Sequence, residues 1–310
     1  MGLPRAARIS VLITCHNRRE HTLACLDALA AQCPAAGAEF QLATFLVDDG
    51  STDGTSDAVR ARFPGVRIIE GDGTLYWCGG MRRAMAVAMA EEYDHLLWVN
   101  DDTRLHPDAV ATLLRTHDTV ATEGRPAIVV GSICDPETGV LTYGGVYRPS
   151  TRARLHYERV QRANEPRACE TMNGNCVLIP AEVARAVGNL DEGFVHGMGD
   201  YDYGHRARAL GFTVWNTAEF TGECRLNRGA APWNNTELPL RRRWQLLVSP
   251  KGLPPKGWRV FTRRHTGPLW FVYWASPYAR VLLSSLRRRG AAAGGRAMHS
   301  GQGSAPRKAA

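Results

Sequence analysis

Phe45-Leu46-Val47-Asp48-Asp49-Gly50-Ser51 and, further along, Leu96-Leu97-Trp98-Val99-Asn100-Asp101-Asp102-Thr103 have the same design: an apolar run that ends in acids. Short runs of this kind read as strands of a parallel sheet, buried on both faces by helices. Acids placed directly after them fall at the carboxyl edge of that sheet, where open α/β folds bind ligands. Unpaired charge beside a core is costly, so carboxylates converging there call for a partner. A divalent metal and a polar nucleotide are the partners that suit them, and the two stretches together predict an enzyme site for a nucleotide-linked substrate.

The surrounding pattern supports the sheet. Residues 9–14 predict a first strand, and 19–32 a helix with Leu23, Leu26 and Leu29 at helical spacing. Strand 41–47 leads through a Gly/Ser/Thr/Asp turn to a helix over 56–62, then to a short strand over 66–70. Residues 71–80 read as a loop, 81–92 as an alanine-rich helix and 95–99 as the fourth strand; Pro107 then starts another helix. Alternating strands and helices predict an α/β, doubly wound, mainly parallel sheet of the Rossmann-like kind. The middle is less regular, with strands expected over 127–132, 140–147, 176–180 and 212–215 and a helix over 200–210 closed by Gly211.

A chain of 310 residues can bury a sizeable core, as one large domain or as one with an appendage. Its eight cysteines form no CxxC pair and no zinc-like spacing with histidine. Several, such as Cys15 and Cys176, lie in apolar runs where a thiol acts as a small hydrophobe, so a reducing, cytoplasmic compartment is expected. Residues 9–14 are too short for an export signal and run into His16-Asn17-Arg18-Arg19, hence the strand reading. The net charge of +8 averages two opposite regions: residues 241–310 hold 15 Lys/Arg and no acid, while the other 240 hold 23 basic and 30 acidic groups.

Such a basic tail suits nucleic acid or an anionic membrane surface. The first 240 residues show no interleaving of basic and aromatic residues like that of a nucleic-acid module, so the expectation is membrane and no nucleic acid. Pro268-Leu269-Trp270-Phe271-Val272-Tyr273-Trp274 opens a stretch that reaches Leu286 before Arg287-Arg288-Arg289. At about 19 residues, broken by Pro277 and Arg280, it is short for a span and better suits an interfacial amphipathic segment. Packing on the rest of the chain, or on a second copy in a homo-oligomer, is the alternative.

Several side chains carry two readings each. Asp48 and Asp49 fit a nucleotide, but Asp-Gly-Ser-Thr is also turn and N-cap chemistry. Gly79 and Gly80 before a helix offer backbone N–H groups to a phosphate or sugar. Trp77 stacks on a sugar face or simply packs, and Arg82 contacts a diphosphate or remains solvated.

Val11-Leu12-Ile13-Thr14-Cys15-His16-Asn17-Arg18, Val47-Asp48-Asp49-Gly50-Ser51-Thr52-Asp53-Gly54-Thr55, Asn100-Asp101-Asp102 and Met198-Gly199-Asp200-Tyr201-Asp202 occur in this order. Together, with Arg206 and Gly211, they resemble the family 2 glycosyltransferases of the GT-A fold over residues 8–225, above all the bacterial rhamnosyltransferase-like enzymes. The resemblance implies an inverting transfer from a nucleoside-diphosphate sugar, dTDP-rhamnose or a UDP-sugar, to a glycan or lipid-linked acceptor in cell-surface polysaccharide synthesis. It implies donor contacts from Thr14, His16, Asn17, Arg18, Asp48, Asp49, Asn100, Asp101, Asn173 and Asn175. It also implies Mn²⁺ or Mg²⁺ on Asp102 and Asn100, and Asp200 as general base, with Asp202 structural. Residues 1–228 would be the catalytic domain, 229–289 a helical, membrane-associating extension on the cytoplasmic face of the inner membrane, and 290–310 a disordered tail. Three positions depart from the pattern: Asn100 replaces the first acid, Gly199 replaces a glutamate, and no histidine stands near Glu223-Cys224-Arg225-Leu226-Asn227. Two other readings remain. One is a sugar-1-phosphate nucleotidyltransferase, disfavoured because Cys15-His16-Asn17-Arg18-Arg19 lacks glycine; the other is a binder of nucleotide sugar or carbohydrate without turnover.

Overall fold

The computed structural model describes residues 5–33, 39–122, 125–152, 154–227 and 233–299, with side chains in the last stretch described through Ser284. Its organising element is β1 (Ala7–Cys15), buried from Ile9 onward. Ile9, Val11 and Ile13 enter one core layer with Leu26, Leu29 and Leu113, whereas Leu12 enters the other with Met81, Met85 and Trp98. Apolar residues on both sides of the pleat are what place a strand between two helical layers.

The chain then runs through α1 (Arg19–Ala30), β2 (Phe40–Asp48), α2 (Thr55–Arg62), β3 (Arg67–Glu70), α3 (Tyr76–Ala88) and β4 (His95–Val99). β2 and β3 add to one side of β1 and β4 to the other, all parallel. This reversal of direction opens a crevice beyond the carboxyl ends of β1 and β4.

The second part of the unit comprises β5 (Arg104–Leu105), α4 (Ala109–Val120), β6 (Ala127–Cys134), β7 (Leu141–Tyr143), β8 (Gly145–Tyr147), β9 (Glu158–Arg159), β10 (Arg167–Cys169) and β11 (Thr171–Met172). It ends with β12 (Cys176–Pro180), α5 (Ala181–Val187), α6 (Gly199–Ala209) and β13 (Thr213–Glu223). The main sheet has the order β10-β13-β6-β12-β4-β1-β2-β3, and β11-β8-β9 form a small sheet of their own. β12 lies antiparallel to both β4 and β6, so the sheet is mixed, with a parallel half where the acids lie.

Three expectations change. α3 begins at Tyr76 rather than at Met81, because Asp49 organises its first amides from another strand. β13 continues to Glu223, held by β6 through a register shift between Asn216 and Gly222. The strand expected over 140–147 divides into β7, paired with β6, and β8, which belongs to the small sheet.

A second compact unit, Gly229–Ala310, contains α7 (Leu240–Val248), α8 (Pro255–His265) and α9 (Trp270–His299). Proline opens α8 at a position where its missing N–H costs nothing. Leu247, Trp258, Phe261 and Val281 are buried in this unit. The expected disordered tail is helical in backbone through His299, and residues 300–310 lie outside the described residues. Among the described residues no helix is long and apolar enough to cross a membrane.

Candidate active site

The loops after β1 and β2 are tied to each other. His16 Nδ1 lies 2.6 Å from the Asp49 carbonyl oxygen, and Asn17 Oδ1 accepts the Thr52 N–H at 2.7 Å. Asn17 has φ of 50°, in the left-handed region that asparagine tolerates better than most residues. Asp48 accepts from the Ser51 N–H at 2.9 Å and from the Ser56 hydroxyl. Asp49 reaches across to the segment before α3: Oδ1 accepts from the amides of Gly73 (2.8 Å) and Leu75 (3.2 Å), and Oδ2 from that of Tyr76 (2.9 Å). A carboxylate there satisfies donors that a helix start leaves open and complements its dipole. Asp49 is thus a capping residue for a distant helix, not for its own turn. A cavity of about 400 Å³ opens beside Asp48, Ser51 and Gly71.

Asp101 and Asp102 follow β4, and Arg18 forks between them. Its Nη1 donates to Asp101 Oδ1 at 3.1 Å and its Nη2 to Asp102 Oδ2 at 2.7 Å. Burial pushes the Asp101 carboxyl up to about 7; Arg18 pulls it down and Asp102 pushes it further up. Asp101 Oδ2 is buried and has no hydrogen-bond partner among the described residues. The Asn100 side-chain oxygen accepts the Trp77 indole N–H at 2.7 Å, which occupies the atom expected on the metal. Cys224 lies against Asp102; burial and that carboxylate push its thiol up to about 12, so it stays neutral.

No group of three His, Cys, Asp or Glu able to hold a metal occurs among the described residues. Mg²⁺-like ions, however, commonly take one or two protein carboxylates and complete their shell with substrate phosphates and water. Two carboxylates with one bare buried oxygen fit such a shared ion, and Arg18 balances their charge from within the chain.

Asp200 stands in the first turn of α6. Its Oδ2 accepts from the Gly174 amide at 3.1 Å and its Oδ1 from the Tyr201 amide at 2.9 Å. Burial pushes this carboxyl up to about 6, against the pull of those two amides. Asp202 is fully buried and binds Arg206 Nε at 2.8 Å, while Arg206 also reaches the Val187 and Asn189 carbonyls. It anchors the helix.

Gly174 joins Asp200 to the acids that follow β4. A Cβ there would lie 2.3 Å from Trp77 Cζ2 and 3.5 Å from Asp200 Cβ, so only glycine lets the indole and α6 meet. Trp77 therefore packs, bonded to Asn100 and edge-on to Trp98 at 6.0 Å. Tyr76 (φ 53°) and Met198 (φ 72°) carry left-handed backbone at the openings of α3 and α6, each storing roughly 1–3 kcal/mol of strain.

The remaining candidates are distributed unevenly. Gly79 and Gly80 are buried in the first turn of α3; a Cβ on Gly80 would lie 2.1 Å from Thr14 Oγ1, and the Gly79 N–H is bonded to the Leu75 and Val195 carbonyls. Gly80 permits a close helix–strand contact, and the Gly79 amide is bonded within the chain instead of being presented to a ligand. Arg82 donates to the Phe194 carbonyl at 3.2 Å. Asn175 is buried and accepts the Asn100 N–H at 3.1 Å, and Asn173 Nδ2 lies 3.4 Å from the Tyr201 hydroxyl. Arg18, Asp101, Asp102, Asn100, Trp77 and Asp200 thus form one connected edge. Sequence reasoning misses the roles of Gly174 and of the Arg18 fork; Gly174 has one local signal, a glycine between two asparagines ahead of a buried strand.

A model of the family described as glycosyl transferase family 2 matches residues 10–187. An N-acetylglucosaminyl-diphospho-decaprenol L-rhamnosyltransferase of Mycobacterium tuberculosis (strain CDC 1551 / Oshkosh) is 27% identical over 203 residues, covering 57% of this chain and 63% of the relative. Its counterpart in strain ATCC 25618 / H37Rv gives the same figures. The match therefore spans less than two thirds of the length of these curated relatives. Among solved structures, a mannosyltransferase from Pyrobaculum calidifontis in complex with GDP-Man and Mn²⁺ aligns with a TM-score of 0.54 at 16% identity, covering 98% of this chain and 78% of its own. GalNAc-T7 with UDP, GalNAc and Mn²⁺ gives 0.53 at 14% identity over 71% of this chain and 44% of its own. These two structures share the fold.

Proposed function

The chain belongs to glycosyl transferase family 2 and is a glycosyltransferase, and from that premise we propose that it transfers L-rhamnose from dTDP-rhamnose to an N-acetylglucosaminyl-diphospho-lipid, with inversion. Membership sets aside nucleotidyl transfer and a binder without turnover. The sugar and acceptor follow the name of the curated relative. The observation that carries the chemistry is the Asp200 carboxyl, held by two amides and joined through Gly174 and Trp77 to the acidic edge.

In this reading the acceptor hydroxyl gives its proton to Asp200 while its oxygen bonds to the anomeric carbon from the face opposite the nucleotide. The bond from that carbon to the diphosphate oxygen breaks, and the nucleoside diphosphate leaves with the electron pair. Asp101 and Asp102 would hold Mn²⁺ or Mg²⁺ here, and the ion would supply charge neutralisation for this leaving group. Arg18 adds a fixed positive charge at the same place, and the cavity beside Asp48 and Gly71 takes the nucleoside.

We also place the second unit on the cytoplasmic face of an anionic membrane. Leu269, Phe271, Val272, Leu282 and Leu283 are exposed on α9 and the turn before it, and no acid occurs after residue 240. Apolar contact plus basic charge is the combination that holds a helix in the interface.

The test is incubation of the full chain with Mn²⁺, a short-chain N-acetylglucosaminyl diphosphate lipid and either dTDP-rhamnose or UDP-sugars. A product heavier by one deoxyhexose and of inverted anomeric configuration is expected. Transfer from a UDP-sugar alone, or retention of configuration, would sink the proposal. Anionic vesicles should bind the protein and release it in high salt.

A further inference from the structure

We propose that the cavity walled by Tyr143, Tyr147, Tyr157 and Tyr201 seats the terminal sugar of the acceptor. This rests on the reading of Asp200 as the base and extends it to the second substrate. The cavity measures about 430 Å³, inside the roughly 300–1,000 Å³ range of small-molecule sites. It lies between the small sheet, which supplies Tyr147, and the start of α6, which supplies Tyr201.

Its walls adjoin the base. Tyr201 follows Asp200 in α6, and Asn173, also in the lining, precedes the glycine whose amide holds the Asp200 carboxylate. Two lining residues are thus one position along the chain from Asp200 and from the Gly174 amide that holds it.

The chemistry of the lining selects a neutral sugar. Tyr157 and Tyr201 meet edge-on, with centroids 4.9 Å apart and planes at 90°, which presets their orientations. All four tyrosine hydroxyls are already engaged: Tyr157 with His205 at 2.8 Å, Tyr147 with Glu158 at 3.1 Å, Tyr143 with the Asn227 amide at 2.7 Å and Tyr201 with Asn173 Nδ2 at 3.4 Å. The ring surfaces are thus left to pack on the C–H faces of a pyranose. Gln161 and Asn173 bring amides, which both donate to and accept from hydroxyls. Glu158 and Arg159 are the charged residues of the lining and cancel formally, so the cavity suits a neutral ring better than a diphosphate.

The test uses the full chain with Tyr147→Ala and Gln161→Ala, both at exposed positions where folding should survive. The probes are methyl N-acetyl-α-glucosaminide for binding and the short-chain N-acetylglucosaminyl diphosphate lipid for turnover. Saturation transfer from protein to the glycoside ring protons is expected in the wild type and should be lost in Tyr147→Ala. KM for the lipid should rise about tenfold in each variant while dTDP affinity holds. No saturation transfer in the wild type, unchanged KM in both variants, or an equal loss of dTDP affinity would overturn the assignment. Failure of dTDP-rhamnose as donor would strike the donor proposal alone, and the glycoside measurement would still decide whether the cavity binds the acceptor sugar.

Discussion

The carboxylates at the ends of β2 and β4 and the carboxylate that opens α6 are held in different ways. Asp48 and Asp49 give their oxygens to backbone amides and a hydroxyl, and Asp101 and Asp102 share the Arg18 guanidinium. Asp200 has two amides and, among the described residues, no ion pair. Partners of the first kind fix a loop or hold a cation at a set place. Burial raises Asp101 to about 7 and Asp200 to about 6, so proton affinity does not separate them; the Arg18 guanidinium on Asp101 does, because Asp200 can take a proton without breaking an ion pair. Position on the sheet edge is therefore not enough to assign a role; what already occupies each oxygen decides it.

The sharpest way to break this comparison is to neutralise the two acids of α6 separately. Asp200→Asn keeps the size of the side chain and should lower kcat by roughly 10²–10⁴, with donor affinity unchanged. Asp202→Asn should weaken the Arg206 anchor, visible as lower thermal stability with most turnover retained. A dead but stable Asp202→Asn beside an active Asp200→Asn would exchange their roles.

Next in size is the cation side. Asp102→Ala removes one of two carboxylates that fit a shared ion, and Mn²⁺-dependent dTDP affinity should fall on the order of a hundredfold. Titration calorimetry with and without Mn²⁺ measures this, and equal affinities in variant and wild type would remove the ion from this edge. Asp49→Ala strips three backbone donors of their acceptor and should destabilise the fold by about 3 kcal/mol in denaturant titrations. A neutral result would mean that the start of α3 does not depend on it.

Much of this edge is legible in the sequence because its determinants are local. The apolar runs ending at Asp48 and Val99, and the turn residues after them, announce both strands and their carboxyl ends. The start of α3 is not legible, since its cap comes from Asp49 on another strand. The Arg18 fork is hidden for the same reason: its partners follow β4 and are joined to it only by the parallel pairing of β1 with β4. The tyrosine cavity draws its walls from β7, β8, α6 and the segment before β9, so no window of sequence contains it. Trp77 and Gly174 show the limit best. Either reading of the tryptophan suits its neighbours in sequence, and only the absent Cβ of Gly174 shows where the indole goes.

The smallest expected effect is the dependence on pH. Asp200 must be ionised to accept a proton, and burial holds it at about 6. kcat should therefore be flat above pH 7 and decline below 6, losing about tenfold per pH unit once the base is mostly protonated. The stability contribution has the opposite sign. A carboxyl whose folded value is raised above its unfolded one favours the folded state when protonated, so this contribution is complete below the unfolded value and is lost as pH rises through 6. Asp200→Asn carries no such proton, so its stability relative to the wild type should improve as pH rises from about 4 to 7. Thermal melts of the two proteins across this range make the check, and a wild-type kcat unchanged down to about pH 5 would show that Asp200 is not the group receiving the acceptor proton.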